Sequence, residues 1–143
     1  MKSILAAMAA GAVVFLTSTA SGTASNLVAH IDIAAQTMTV TDNGRVLHRW
    51  PVSTARRGFT TPRGTYRPTR MHKMWHSRKY DMTPMPYSIF FRGGYAIHGT
   101  TQVKRLGTPA SHGCVRLATS NAKRFYELVK FRGAKNTRIV LTN

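Results

Sequence analysis

Short runs that alternate apolar and polar residues, cut at close intervals by turn signals, constrain this chain more than any other feature. Leu27–Asp32 and Thr37–Thr41 each alternate as half-buried strands do. Asp42-Asn43-Gly44 supplies a hairpin signal, because Asn and Gly tolerate the positive φ of tight turns, and Arg45–Val52 reads as the returning strand. Ser53–Thr65, with Gly58, Pro62 and Gly64, is a loop leading into a short strand near Tyr66. Tyr87–Phe91 and Tyr95–Gly99 form a second strand pair about Arg92-Gly93-Gly94. A short strand follows at Cys114–Leu117, and Arg138–Thr142 closes the chain. Met71–Pro86 has no clean period and carries Pro84 and Pro86, so it reads as an irregular excursion. One segment has helical spacing: Thr119 or Ser120 can cap a helix to about Phe131, with Ala122, Phe125, Tyr126 and Val129 on one face and Gly133 as its stop. Many short strands and one helix imply a mainly-β sandwich or barrel with the helix packed on it.

The chain has 143 residues, enough for one domain. The start has the three-part layout of a secretory signal peptide: Lys2, then the apolar run Ile4–Leu16, then small polar residues Thr17–Ser25. The apolar run is shorter than the roughly 20 residues a membrane span needs. The division expected is a leader over residues 1–25, cleaved after Ala20, Gly22 or Ser25, and a single domain over 26–143. Export to the periplasm or cell wall follows.

Charge is the compositional outlier. Lys and Arg number 21, and the only acidic residues are Asp32, Asp42, Asp81 and Glu127. The partner or milieu is therefore anionic. Export disfavours nucleic acid and favours an acidic envelope polymer or membrane surface. Export also changes the meaning of Cys114, the only cysteine. It cannot form an internal disulfide, so it is a free thiol in an oxidising compartment, either buried and inert or kept for its reactivity.

Two histidines lie near that thiol in sequence, His98 and His112. A thiol attacks as thiolate and needs a base or a positive environment. His98, at the end of the neighbouring strand, is the favoured base because it can meet the thiol side-on. His112 takes a supporting role in the turn or against substrate. Gly113 permits a tight turn, and backbone N–H groups at Gly113 and Cys114 are the candidate oxyanion hole. Arg116, two residues beyond Cys114 on a strand, shares its face, where a guanidinium can pair a substrate carboxylate and favour the thiolate. No acidic residue neighbours His98, so a backbone carbonyl, that of Gly99, is the expected orienting group. No standard metal-ligand spacing links His98, His112 and Cys114, so neither metal nor cofactor is expected.

The runs Ala96-Ile97-His98-Gly99-Thr100 and Ser111-His112-Gly113-Cys114-Val115-Arg116-Leu117 closely resemble the active-site signature of the L,D-transpeptidase catalytic domain family (the YkuD domain). Gln36-Thr37-Met38-Thr39-Val40, Trp50-Pro51-Val52-Ser53-Thr54, Thr61-Pro62-Arg63-Gly64-Thr65-Tyr66 and Pro84-Met85-Pro86-Tyr87 also look like that family. The resemblance implies a β-sandwich-like catalytic fold and a cysteine acyl-enzyme. Cys114 matches the nucleophile and His98 the proton acceptor. Ser111, His112 and Gly113 match pocket-shaping residues, and Tyr87 joins Ser111, His112 and Arg116 as an expected substrate contact. The implied substrate is a peptidoglycan stem peptide, attacked at the third, diamino residue with release of D-alanine. The acyl group then passes to an amine on a second stem or on an envelope protein. Many members carry asparagine where this chain has Arg116. Two rivals remain: a hydrolase of the same bonds, sharing the acyl-enzyme, and a non-catalytic basic module that grips acidic envelope polymers. Part of Met71–Tyr87 is expected to cover Cys114 as a lid.

Overall fold

The computed structural model describes residues 11–14 and 26–143. Most of the expected leader therefore lies outside the described residues. Among the described residues, no helix is long and apolar enough to cross a membrane.

Among the described residues, nine strands make two sheets. In chain order they are β1 (Leu27–Asp32), β2 (Thr37–Asp42), β3 (Arg45–Pro51), β4 (Gly64–Tyr66), β5 (Arg70–Ser77), β6 (Thr83–Arg92), β7 (Tyr95–Thr100), β8 (Val115–Ala118) and β9 (Thr137–Thr142), with one helix, α1 (Thr119–Arg132), between β8 and β9. The first sheet runs β3-β2-β1-β9-β4 and the second β5-β6-β7-β8. Most neighbours are antiparallel. The exceptions are β1 with β9 and β7 with β8, and the second of these builds the site.

Alternation fixes which residues enter the core. Leu27, Ala29 and Ile31 from β1 are fully buried, with Met38 and Val40 from β2 and Ile139 and Leu141 from β9. Ile89, Phe91, Ile97, Val115 and Leu117 from the second sheet join the same cluster. So do Ala122, Phe125, Tyr126 and Val129, the helix face expected from spacing. Each large apolar side chain so buried contributes roughly 1.5–3 kcal/mol. Gly133 ends the helix at φ 89°, and its N–H bonds to the Val129 carbonyl. The start differs from expectation. The helix begins at Thr119, so the cap residue is Ala118, whose methyl cannot accept a hydrogen bond, and the Thr119 hydroxyl donates to the Thr100 carbonyl (3.3 Å).

The segment read as irregular is a long hairpin, β5 and β6, in steady register from Arg70↔Phe90 to Ser77↔Thr83. Its prolines are tolerated because β7 pairs with β6 only from Ile89 onward, leaving Pro84 and Pro86 on a stretch bonded on one side. Alternation breaks midway, at unpaired Lys73 and at Tyr87, which has φ 53°. Trp75 and Met85 are thereby turned to the same side as Arg70, His72 and Phe90, where their rings meet. That break removes the period a sequence would display.

Candidate active site

The parallel register of β7 and β8 pairs Ile97 with Val115 and His98 with Arg116. Ile97 and Val115 face the core. The alternate residues Ala96, His98, Cys114 and Arg116 therefore share the opposite face. Cys114 precedes β8 by one residue, beside Ala96, and packs at the margin of a second small cluster of Met85, Phe90 and Ala96. It is partly exposed.

His98 is buried at 6% exposure. Its Nδ1 lies 2.7 Å from the Gly99 carbonyl. A carbonyl only accepts, so Nδ1 carries the proton and Nε2 holds the free lone pair. Burial pushes the imidazole pKa down from 6.5 to about 4, against the Gly99 carbonyl, which raises it, and with Arg116, which lowers it further. Burial likewise pushes the Cys114 thiol up, opposed by the Ala96 backbone and the Arg116 guanidinium. The resting pair is thus neutral thiol and neutral imidazole. The thiol donates to the Gly94 carbonyl at 3.7 Å and makes no hydrogen bond to His98 in this conformation. His98 stands diagonally from Cys114 on the adjacent strand, opposite Arg116 and two residues beyond Ala96, and a staggered rotation about χ1 is the means by which Sγ leaves Gly94.

The turn before Cys114 is held by a buried polar frame. Ser111 Oγ donates to the Cys114 carbonyl (2.6 Å) and accepts from the Gly113 N–H (3.0 Å). Thr61 Oγ1 donates to the Gly113 carbonyl and accepts from the Ala55 N–H, each at 2.9 Å. The chain at 52–56 docks alongside: Ala110 and Ser111 N–H bond to the Thr54 carbonyl, and Ser53 and Arg116 exchange backbone bonds. Gln36, 4% exposed, holds Thr54 through both its amide oxygen and nitrogen. Gly113 sits at φ 135°, and a Cβ there would lie 2.6 Å from the Tyr95 ring and 2.9 Å from the Thr60 carbonyl. Only glycine fits.

Two expectations need correction. The Gly113 N–H is already bound to Ser111 Oγ, so of the expected oxyanion donors it is committed elsewhere and the Cys114 N–H remains. Tyr87 does not join this face: its ring packs edge-on against Tyr126 of α1, centroids 5.6 Å apart, at the margin of the main core. Its positive φ turns it there. His112 stacks on Tyr80 at the tip of the β5–β6 hairpin (4.2 Å, 14°) and meets Phe59 edge-on (4.7 Å). Burial lowers its pKa, with Arg56, Arg116 and Lys79 adding to the effect. Arg116 is half-buried and reaches Gln102 Oε1 at 3.4 Å. Sequence reasoning missed Thr61 and Gln36 as positioning residues. Both are polar residues bordering apolar strands, but the partners that tie them to the site, Gly113 for Thr61 and Thr54 for Gln36, lie in other segments of the chain. Among the described residues, no three His, Cys, Asp or Glu side chains converge as a metal site would need.

The YkuD family, the L,D-transpeptidase catalytic domain, matches residues 26–141. The chain belongs to this family. It is similar in structure to an L,D-transpeptidase from Mycobacterium smegmatis (25% identity, TM-score 0.73, covering 83% of this chain and 59% of that one). It is also similar to an L,D-transpeptidase from Stackebrandtia nassauensis (26%, 0.72, 82% and 56%) and to one from Xylanimonas cellulosilytica (29%, 0.70, 85% and 62%). The chain therefore spans about three fifths of each matched structure. None of the curated proteins matches it.

Proposed function

We propose that the protein is an exported cysteine L,D-transpeptidase that acts on peptidoglycan stem peptides in the periplasm or cell wall. The observation that carries this reading is the pairing of β7 with β8, which puts His98 and Cys114 on one face with Nε2 of His98 unprotonated. Family membership supports the reaction class. The basic excess supports an anionic envelope as the setting.

In this reading the Cys114 thiol swings from Gly94, and His98 Nε2 takes its proton as Sγ attacks the carbonyl of the diamino residue. A neutral pair suits a concerted transfer, because neither buried charge has to exist before the bond forms. The Cys114 N–H donates to the developing oxyanion; one good donor is worth about 3 kcal/mol of barrier. The leaving D-alanine nitrogen takes the proton back from His98, and a thioester remains on Cys114. An acceptor amine then loses a proton to His98, attacks the thioester and frees the thiol. Arg116 faces the same side as the pair and orients a substrate carboxylate.

Incubation of the protein with a tetrapeptide stem and an amine acceptor, followed by mass analysis of the products, tests the reading. Transfer yields a cross-linked dimer and free D-alanine. A shortened monomer alone means that water is the acceptor and the protein is a hydrolase. Unchanged substrate rejects both.

A further inference from the structure

The first sheet has two ends, and the chain enters it at one of them. The Asn26 N–H donates to Asn43 Oδ1, and the Asn43 N–H donates to the Asn26 carbonyl. Leu27 then pairs with Asp42 and with Thr137, so the β2–β3 turn and the start of β9 stand at this end. Arg132, in the last turn of α1, reaches Asp42 and brings the end of the helix there too. The catalytic turn belongs to the other end. There Gln36, between β1 and β2, holds Thr54, whose carbonyl accepts the Ser111 N–H. The six residues of β1 separate the two ends by about 20 Å.

The entry end is basic and apolar at once. Phe131 is 79% exposed, the most exposed large apolar side chain among the described residues. Val46, at the start of β3, is 55% exposed. Arg45, Lys130 and Lys135 are exposed around them, and Arg67 joins by donating to the Lys135 carbonyl. Acidic residues are few here. Asp42 is engaged by Arg132, and Glu127 lies one helical turn before Phe131. Asp32 is at the far end of β1, and Asp81 is at the tip of the β5–β6 hairpin. An exposed aromatic ring among cations suits a bilayer surface, where the ring enters the headgroup boundary and the cations meet anionic lipid. A soluble acidic polymer would answer the charges and leave the ring in water. A second copy of the chain would set like charges face to face. The sequence before Asn26 leads to the same place: the apolar run Ile4–Leu16 joins the domain at this end through residues 17–25.

We propose that this end of the first sheet docks on an anionic bilayer surface. Phe131 and Val46 enter the headgroup boundary, and Arg45, Arg67, Lys130 and Lys135 lie against lipid phosphates. The docked domain holds the turn before Cys114 about 20 Å out, on the side away from the bilayer. This goes beyond the transpeptidase reading and does not depend on it.

The test is co-sedimentation of the full chain with vesicles of phosphatidylglycerol and phosphatidylcholine in equal parts, and with phosphatidylcholine vesicles, at physiological salt. Four proteins are compared: the wild type, Lys130→Gln/Lys135→Gln, Phe131→Ser, and Lys79→Gln/Lys104→Gln, which removes the same charge away from the patch. All the altered side chains are exposed or on the hairpin tip, and equal melting midpoints check that the fold is kept. The wild type should bind the mixed vesicles and leave the neutral ones largely free. Lys130→Gln/Lys135→Gln should weaken binding about fivefold for each charge removed. Phe131→Ser should weaken it about tenfold, and Lys79→Gln/Lys104→Gln should stay near wild type. Phe131→Trp should in addition show emission quenched by brominated lipid, over the background of Trp50 and Trp75 in the wild type. A wild type that ignores the mixed vesicles overturns the proposal. So does equal weakening in the two double variants, which would mean diffuse charge rather than a patch. Full binding by Phe131→Ser, with no added quenching in Phe131→Trp, also overturns it and leaves a site for a soluble polyanion.

Discussion

Replacing Thr61 by Val tests how the nucleophile's turn is held. The substitution is nearly isosteric and removes only the hydroxyl. That hydroxyl sits in a residue 3% exposed, donating to the Gly113 carbonyl and accepting from the Ala55 N–H, both at 2.9 Å. Without it both backbone groups lose a partner. A buried polar group left unsatisfied costs about 1–3 kcal/mol. The Gly113 bond is fully buried and the Ala55 bond only partly so, so water can relieve the second. The sum is about 2–4 kcal/mol, which for a domain of this size lowers the melting temperature by roughly 10 °C. Thioester formation should also slow, because the same contact sets the backbone that leads into Cys114. Urea denaturation measures the stability loss, and intact-mass kinetics below the new midpoint measures the rate. Thr61→Ser keeps the hydroxyl and should recover most of both. A Thr61→Val protein within about 0.5 kcal/mol of wild type, the usual range for substitutions that touch nothing, would refute the reasoning.

Burial of neutral His98 makes stability pH-dependent. The unfolded chain binds a proton near pH 6.5 that the folded ring resists until about 4, so stability is full above 6.5 and falls as pH drops toward 4. The loss is about 3 kcal/mol and should be missing from His98→Asn; parallel pH–stability curves for the two proteins would contradict it. Gly113→Ala should destabilise by about 2–6 kcal/mol, from backbone strain and overlap with the Thr60 carbonyl, and should suppress acylation. A folded, fully active variant would remove the need for glycine there. Tyr80→Ala removes the stack on His112, worth about 0.5–1.5 kcal/mol. It should loosen the hairpin tip, seen as faster amide hydrogen exchange over residues 78–82, whereas unchanged exchange would make the stack incidental.

Much of the first sheet was legible because its strands have one face in the core. Leu27–Asp32 alternates without a break, and its observed burial alternates in step. Helix α1 was legible for the same reason, with its four buried residues at helical spacing. The β5–β6 hairpin was not. Its outer face carries its own small cluster, and the positive φ at Tyr87 reverses the alternation partway, so neither face shows a period of two. The juxtaposition of His98 and Cys114 was suggested by neighbouring strands, but the sequence does not state that β8 runs parallel to β7. That direction sets which of His98 and Ala96 stands beside the thiol. The commitment of the Gly113 N–H to Ser111 was likewise hidden, because it depends on one hydroxyl rotamer in a turn. Ser111 is thus a strut of the turn, tying the residue before the nucleophile to the nucleophile's own carbonyl.

The most direct measurement is the mass of the intact protein quenched during turnover on a tetrapeptide stem, for the wild type and for Cys114→Ala. The wild type should gain the mass of the stem less D-alanine, on a bond cleaved by hydroxylamine as thioesters are, and Cys114→Ala should gain nothing while unfolding at the wild-type midpoint. An adduct that persists on Cys114→Ala, or a wild type that releases D-alanine without ever carrying the acyl group, would contradict the thiol mechanism.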